Sequence, residues 1–258
     1  MRSLRARLFL FSELVRRDLS ARYAGSSAGA LWALFNPLIL CILYTFVFAI
    51  VLRLPPPPGF RGGYMEFLLA GYLPWIGFQE AFSRGTTSIS DHAHLVKKLN
   101  FPVELLVVSS LLSALILQAV ALVLFVGFLS VRGQGDLHAA PLLAAILFEA
   151  LILCGPALIF AALNVYFRDL SQLLSPILMV ACYLSPILYP ESMVPKALEP
   201  VLAFNPIRDL VALFRAGLLG SVAPPLQSVG TWSAIFLVVA YAGVRFFRRL
   251  RPSFADLL

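Results

Sequence analysis

The sequence predicts an all-α polytopic membrane protein whose helices cross a lipid bilayer about six times. Only 13% of the 258 residues are charged, whereas 60% are hydrophobic. A soluble domain usually carries about 25% charged residues because its surface must face water. The apolar residues are also grouped into runs of roughly 20, which is the length of a helix that crosses the hydrocarbon core. Lipid is therefore the expected solvent for much of this chain.

Six apolar runs are predicted to span the membrane, and prolines, glycines or charged residues separate them. The predicted spans are residues 29–52, 64–82, 105–131, 139–166, 173–189 and 231–247. The fifth is short and contains Pro176 and Pro186. The spans show no internal repeat, so the whole chain, residues 1–258, is predicted to form a single transmembrane domain.

The distribution of basic residues predicts that both ends lie in the cytoplasm. In that orientation, 14 of the 20 Lys and Arg residues fall on inner segments, as the preference of positive charge for the cytoplasmic side requires. Because these residues lie at the ends of apolar runs, topology and anionic lipid headgroups explain the net charge of +7 without a nucleic-acid partner.

Residues 1–28 precede the first span and are predicted to contain a cytoplasmic interface helix. Apolar side chains recur at helical spacing at Leu4, Leu8, Phe11 and Val15. Arginines occupy the other faces, so the helix is expected to lie on the inner membrane surface. The alternative is a solvated tail that only sets the orientation of the chain.

Residues 86–102, called the inner loop below, connect the second and third predicted spans. We expect a short helix there, with Thr86 or Thr87 as N-cap and Phe101-Pro102 at its end. Its apolar side chains are Ile89, Ala93, Val96 and Leu99. An apolar ridge on a cytoplasmic helix suits docking to another protein, and the alternative is a loop helix that rests on the membrane.

Residues 190–230, called the outer segment below, lie between the fifth and sixth predicted spans. Asn205-Pro206 is typical of a helix start, with Asn as N-cap and Pro in the first turn. Residues 207–219 then number 13, or about 20 Å of helix, which is too short to cross the membrane. The predicted apolar face is Ile207, Leu210, Val211, Phe214 and Leu218, with Arg208 and Arg215 on another face. The segment is expected to re-enter the membrane or to lie flat on it, and re-entry would indicate a transport pathway.

The motifs of ATP-binding and hydrolytic enzymes are missing from the sequence. No GxxxxGK[ST] phosphate-binding loop, HExxH or GxSxG motif is found, so ATP would have to bind another polypeptide. Asp91, His92 and His94 are better explained as a solvated polar face than as metal ligands. The cysteines, at Cys41, Cys154 and Cys182, are interpreted as small hydrophobic residues. We therefore predict no catalytic residue, no metal site and no enzymatic activity.

Two features inside the apolar runs allow more than one interpretation. Glu149, in the fourth predicted span, could relay protons or contact a substrate, or it could be a hydrogen-bonded glutamate packed between helices. Aromatic side chains could line a glycan channel, since they stack on sugar rings, although lipid-facing packing is the commoner reason for them.

Four stretches resemble the ABC-2-type permeases of polysaccharide-exporting ABC transporters. They are residues 17–37 (RDLSARY, GS and GALWALFNP), residues 73–86 (LPW and SRGT), residues 94–102 (HLVKKLNFP) and residues 183–215 (YLSPILYP, NP and FR). The resemblance runs over most of the chain in order. His94 and Val103 depart from the family pattern, in which a small amide and a basic residue are expected.

The resemblance implies a permease that moves a lipid-linked polysaccharide, of O-antigen, capsule or teichoic-acid type, out across the bacterial cytoplasmic (inner) membrane. It implies two copies of this chain assembled with two copies of a separate ATPase. The chain itself would hold no cofactor, and ATP and Mg²⁺ would bind the ATPase. Membrane lipids would be further partners, and nucleic acid would not.

The resemblance also gives roles to residues. The inner loop would contact the ATPase through Asp91, His92, His94, Leu95, Val96, Lys97, Lys98 and Phe101. Lipid headgroups would meet Arg16, Arg17, Arg22 and Tyr23. The channel-lining candidates are Trp32, Phe35, Tyr44, Phe48, Tyr183 and Tyr189. The outer gate would include Pro186, Pro190, Asn205 and Pro206.

Three alternative functions stay open. An ABC-2 permease for a drug or a small lipid would share this architecture. A proton-coupled secondary transporter would depend on Glu149 and would need no ATPase. A membrane-embedded glycosyltransferase would need paired carboxylates or a DxD motif near one interface, and neither is found.

Overall fold

The computed structural model describes residues 4–22, 39–40, 42–55, 60, 62–97, 101–133 and 136–258. Within these ranges the secondary structure is helical, without β-strands, so the predicted all-α architecture is confirmed. The α-helices are α1 (Leu4–Ala21), α2 (Ile42–Val51), α3 (Tyr64–Asp91), α4 (Ala93–Val96), α5 (Glu104–Val131), α6 (Ala139–Tyr166), α7 (Leu170–Leu184), α8 (Glu199–Ala203), α9 (Pro206–Leu219), α10 (Leu226–Leu250) and α11 (Phe254–Leu257). The last six residues of α2, Phe46–Val51, form a π-helix.

Among the described residues, three helical stretches are long and apolar enough to cross a membrane: α5, α6 and the continuous run Leu226–Leu257. The helices α2 and α7 are apolar but shorter. The 28 residues of α3 would reach about 42 Å, and they include Glu66, Glu80 and Arg84. Residues 29–38 and residue 41 of the first predicted span lie outside the described residues.

Two predicted span boundaries were wrong. The fifth span was expected to continue to Tyr189, but α7 ends at Leu184 because Pro186 has no N–H to continue the helix and disfavours a helical residue before it. Ser185 accordingly has an extended backbone, with φ −100° and ψ 147°. The sixth span was expected from Thr231, but α10 already begins at Leu226, directly after Pro225.

The inner loop also differs from the prediction, because α3 continues into it as far as Asp91. Thr86 is not an N-cap; its hydroxyl donates to the Phe82 carbonyl at 2.9 Å, inside the helix. Ile89 is fully buried, so the apolar face of α3 continues up to Asp91. In the described part of this loop, which leaves out residues 98–100, the one separate helix is the four residues of α4.

The helix α1 packs against α5, and protein covers only part of its predicted apolar stripe. Leu14 and Val15 are buried, but Leu8 was expected in the same stripe and is 58% exposed. The helix is turned so that Asp18 also faces the protein, where it meets Arg84 of α3. Residues 1–3 and 23–28 of the predicted interface segment lie outside the described residues.

The centre of the fold is formed by α3, which contacts α5, α6 and α9. The predicted re-entrant helix is α9, and 11 of its 14 residues are buried. It is therefore enclosed by protein, and it does not lie flat on the membrane surface through a single apolar face. Its close contact with α6 requires Gly217, where an added Cβ would lie 2.8 Å from the Cα of Leu142.

Candidate functional site

The chain leaves helical geometry within the protein interior just after α7. Ser185, Ile187 and Leu188 are all fully buried, although they belong to no helix. Buried backbone carbonyls need hydrogen-bond donors, above all at membrane depth where water is absent. This buried stretch, residues 185–188, is called the break below.

Arg215 supplies donors for the break. Its Nη1 donates to the Pro186 carbonyl at 2.7 Å and its Nη2 to the Ile187 carbonyl at 2.8 Å. Tyr64, at the start of α3, donates its hydroxyl to the next carbonyl, that of Leu188. Three successive carbonyls of the break are therefore paired by side chains from two other helices.

Arg215 was expected on another face of its helix than the apolar side chains, and its side chain is nevertheless buried. Its Nε also donates to the Phe67 carbonyl at 3.3 Å, and the guanidinium lies 3.6 Å from the centroid of the Phe67 ring. Gly71 leaves the space for it, since a Cβ there would lie 2.7 Å from Nη2. Within the described part of the chain, no carboxylate forms an ion pair with Arg215. The cation is stabilised by carbonyl dipoles and a ring face.

The predicted gate residues meet at this break. Asn205 caps α9, with its Oδ1 accepting from the Ile207 N–H at 3.0 Å, as the sequence predicted. Its Nδ2 also donates to the Ser185 hydroxyl at 2.8 Å, which ties the start of α9 to the end of α7. Pro206 occupies the first turn of α9, and Pro190 is buried beyond the break.

Arg208 forms the exposed side of the same region. Its Nε and Nη2 donate to the two carboxylate oxygens of Glu191 at 3.0 and 2.8 Å. These hydrogen bonds from the guanidinium to Glu191 raise the pKa of Arg208. The pair connects α9 to the short helical turn Glu191–Met193.

Of the predicted channel-lining aromatics, Tyr44 and Phe48 contact rings of α3, and Tyr183 and Tyr189 flank the break. The Phe48 ring stacks on Tyr64 with centroids 6.3 Å apart, and Tyr44 meets Tyr72 edge to face at 5.2 Å. The Tyr189 hydroxyl donates to the Tyr183 carbonyl at 2.9 Å. Trp32 and Phe35 lie outside the described residues, and whether any of these rings faces a channel stays a prediction.

Glu149 is buried and hydrogen-bonded to a partner that the sequence reading missed. The Nε2 of Gln118, on α5, donates to Glu149 Oε2 at 2.7 Å. The other oxygen of each side chain, Oε1, is buried and has no hydrogen-bond partner among the residues that the structure describes. Gly77 of α3 makes room for the amide, because an added Cβ would overlap the Gln118 side chain. A lone amide in an apolar run was the available signal, since Gln118 would need a partner there.

Four charged side chains connect α1 to α3. Arg84 Nη2 lies 2.6 Å from Asp18 Oδ1, and Arg22 Nε lies 3.3 Å from Asp18 Oδ2. Arg22 Nη1 also lies 3.3 Å from Glu80 Oε1. Asp18 is only 9% exposed, so this network holds the end of α1 against the C-terminal half of α3.

The predicted headgroup residues are thus in different environments. Arg22 belongs to this network, whereas Arg16 pairs with Glu13 at 3.3 Å on the exposed side of α1. Arg17 is exposed, and Tyr23 lies outside the described residues. A contact of these residues with lipid headgroups stays a prediction.

The predicted ATPase-contact residues divide into exposed and buried groups. Asp91, His94 and Lys97 are exposed. Val96 is only 7% exposed, and Leu95 and Phe101 pack against the core, so these three side chains attach the loop to its own protein. His92 Nδ1 lies 2.9 Å from the Ser88 carbonyl. Lys98 lies outside the described residues.

The chain was also compared with known proteins. Residues 10–219 match the ABC-2 type transporter family. The chain is 29% identical to the O-antigen export system permease protein RfbA of Klebsiella pneumoniae, over 97% of this chain and 96% of that protein. It is 30% identical to the protein of the same name from Myxococcus xanthus, over 96% and 94% of the two chains. It is 24% identical to the polysialic acid transport protein KpsM of Escherichia coli, over 91% of each.

Proposed function

The chain belongs to the ABC-2 type transporter family, and on this basis we propose that it is the permease subunit of an ATP-driven exporter of lipid-linked polysaccharide. The observation that carries the proposal is the similarity, over 96% or more of this chain, to permeases named for O-antigen export. The capsule-type relative, named for polysialic acid transport, supports the same class of cargo.

The proposed assembly contains two copies of this chain and two ATPase subunits in a bacterial inner membrane. ATP and Mg²⁺ bind the ATPase subunits, and this chain carries out no chemistry of its own. Each copy crosses the membrane six times, with both termini in the cytoplasm. The three long apolar helices and the shorter α2 and α7 support this arrangement. An exposed apolar face on α7, at Ile177, Met179, Val180 and Leu184, is available to lipid or to the second copy.

The proposed mechanism links the inner loop to the break. ATP binding closes the ATPase subunits, which push on the exposed residues of the loop. Because α3 includes the start of this loop and also carries Tyr64 at its other end, a movement of the loop displaces a partner of the break. ATP binding can bias the outer gate only through ATPase contacts that differ between the open and the closed state of that gate.

The proposal is tested by deleting the gene and restoring it from a plasmid. We expect the deletion strain to lose surface polysaccharide and to accumulate lipid-linked polysaccharide inside the cell, as measured by immunoblot and by lipid extraction. The restored strain should regain surface polysaccharide. A deletion strain with normal surface polysaccharide and altered drug sensitivity would instead favour the drug-exporter alternative.

A biochemical test addresses the assembly. This chain should co-purify with an ATPase subunit encoded beside it, and the complex in nanodiscs should hydrolyse ATP faster when lipid-linked polysaccharide is added. Transport without any ATPase would support the proton-coupled alternative.

A further inference from the structure

The end of the chain contacts the end of the inner loop. Arg251 follows directly after α10, and its Nη2 donates to the Phe101 carbonyl at 3.0 Å. Its Nη1 lies 3.0 Å from the Glu104 carboxylate, in the first turn of α5. A single guanidinium therefore bridges the last residues of the inner loop and the helix that follows it.

The same tail also reaches the other end of the loop. The helix α11 contacts α4 as well as α6. Phe254, its first residue, is fully buried and meets Phe247 of α10 edge to face, with centroids 5.4 Å apart. Residues 251–258, called the C-terminal clamp below, thus hold α4 on one side and Phe101 on the other.

The inner loop needs such support because α4 is one turn long. A four-residue helix makes too few hydrogen bonds to be stable by itself, and Val96 is its one buried residue. The clamp provides the packing that the loop lacks. It also lies beyond residues 10–219, the part that matches the family, so the family match does not account for it.

We propose that the C-terminal clamp positions the inner loop and forms part of the surface on which the ATPase subunit docks. This inference rests on the proposed function, because it takes the ATPase as the partner. Exposed Asp256 and Leu257 of the clamp then lie on the same composite surface as the exposed residues of the loop. The docking surface therefore combines the inner loop with the C-terminal clamp, which lies about 150 residues further along the sequence.

The first experiment measures the clamp in this chain alone, in nanodiscs. Arg251→Gln removes both contacts of the guanidinium, and amide hydrogen exchange in α4 should become about tenfold faster. The matched control is Arg249→Gln, which removes the same charge from an exposed position of the same helix end. Glu104→Gln weakens only the ion pair and should give a smaller increase, which keeps the test informative if Arg251→Gln is made in poor yield.

The second experiment measures the affinity of each variant for the ATPase subunit. We expect Arg251→Gln to bind about tenfold more weakly, Arg249→Gln to bind like the unmodified chain, and Arg251→Lys, which keeps the charge near Glu104, to recover part of the loss. Lys97→Glu, in the exposed part of the loop, serves as the reference for the proposed function.

The outcomes separate the two proposals. If Lys97→Glu weakens binding and Arg251→Gln does not, the inner loop docks without the clamp and this inference is wrong. Unchanged exchange in α4 of Arg251→Gln would overturn the positioning role directly. If neither variant affects binding, the assignment of the inner loop itself fails, and the clamp inference fails with it.

Discussion

Arg215 is a buried cation whose partners are three backbone carbonyls and one aromatic ring. A buried ion is costly unless hydrogen bonds satisfy it, and the break offers carbonyls that equally need donors. The planar, multiply donating guanidinium suits this task better than an ammonium group. The residue and the irregular backbone therefore stabilise each other.

Replacement of Arg215 by Met should destabilise the protein strongly. The carbonyls of Pro186 and Ile187 lose the donors that Arg215 supplies, and the Phe67 carbonyl loses one of its contacts, so we expect the free energy of unfolding to fall by about 3 kcal/mol, as measured by thermal unfolding in detergent. Arg208→Met is the control on the same helix, because an exposed ion pair contributes about 1 kcal/mol at most. Equal stability of the two variants would contradict the structural role of Arg215.

Glu149 lies in a hydrogen-bonded pair with Gln118, which favours the packing interpretation over proton relay. Glu149→Gln retains an oxygen that accepts from the Gln118 amide, so stability should change by less than about 1 kcal/mol and export should continue. Surface polysaccharide in a strain that carries the variant provides the measurement. Loss of export with ATP hydrolysis intact would instead support a proton relay.

At the scale of elements, α10 is attached to the rest of the protein mainly by its contact with α6. Only Gly243 and Phe247 of α10 are buried. A Cβ added at Gly243 would lie 2.7 Å from the Gly155 carbonyl oxygen, and one added at Gly155 would lie 2.7 Å from the backbone N of Ala240. Two glycines therefore allow the backbones of α6 and α10 to touch, as is common between membrane helices.

Replacement of Gly155 by Ala should force these helices apart. The added methyl group meets backbone that cannot rotate away, so we expect a loss of about 2 kcal/mol in unfolding free energy, measured by thermal unfolding in detergent. Gly127→Ala in α5 is the matched control. Nothing lies within 4 Å of the added Cβ there, so helix propensity should leave that variant as stable as the original or slightly more stable.

Helix bounds were predicted best where the flanking polar residues and the ends of the apolar run indicated the same boundary. The bounds predicted for the fourth span, residues 139–166, coincide with those of α6, because charged or polar residues flank the apolar run at both ends. The end of α7 was misplaced, although Pro186 was a visible signal, because the apolar run continues past it. The extension of α3 was missed because Thr86 and Thr87 look like caps but bond within the helix.

The candidate site was less predictable than the fold, because its contacts join distant parts of the chain. Asn205 was predicted as a cap from its neighbour Pro206, which is local information. The pairing of Arg215 with the break, of Gln118 with Glu149 and of Arg251 with Glu104 depends on how helices pack. Sequence spacing does not contain that information, and only the isolation of a polar residue in an apolar run suggested that a partner exists.

At the scale of the whole molecule, the excess of basic residues on the predicted inner segments makes the orientation testable. Lys97→Cys should react with a membrane-impermeant maleimide only after the inner membrane is opened, and Lys196→Cys should react in intact cells. The unmodified chain gives the background from its own three cysteines, of which Cys154 and Cys182 are free thiols in the described part of the chain. Labelling of Lys97→Cys in intact cells would reverse the proposed topology.

The uninterrupted course of α3 also has a mechanical consequence. Its 28 residues form a rod of about 42 Å, longer than the roughly 30 Å hydrocarbon layer. Pro74 cannot donate to the Ala70 carbonyl, so bending is easiest in that turn. In the proposed six-span arrangement, a displacement at one end of α3 is therefore transmitted to its other end by a single helix that bends at Pro74, without a relay of switching side chains between them.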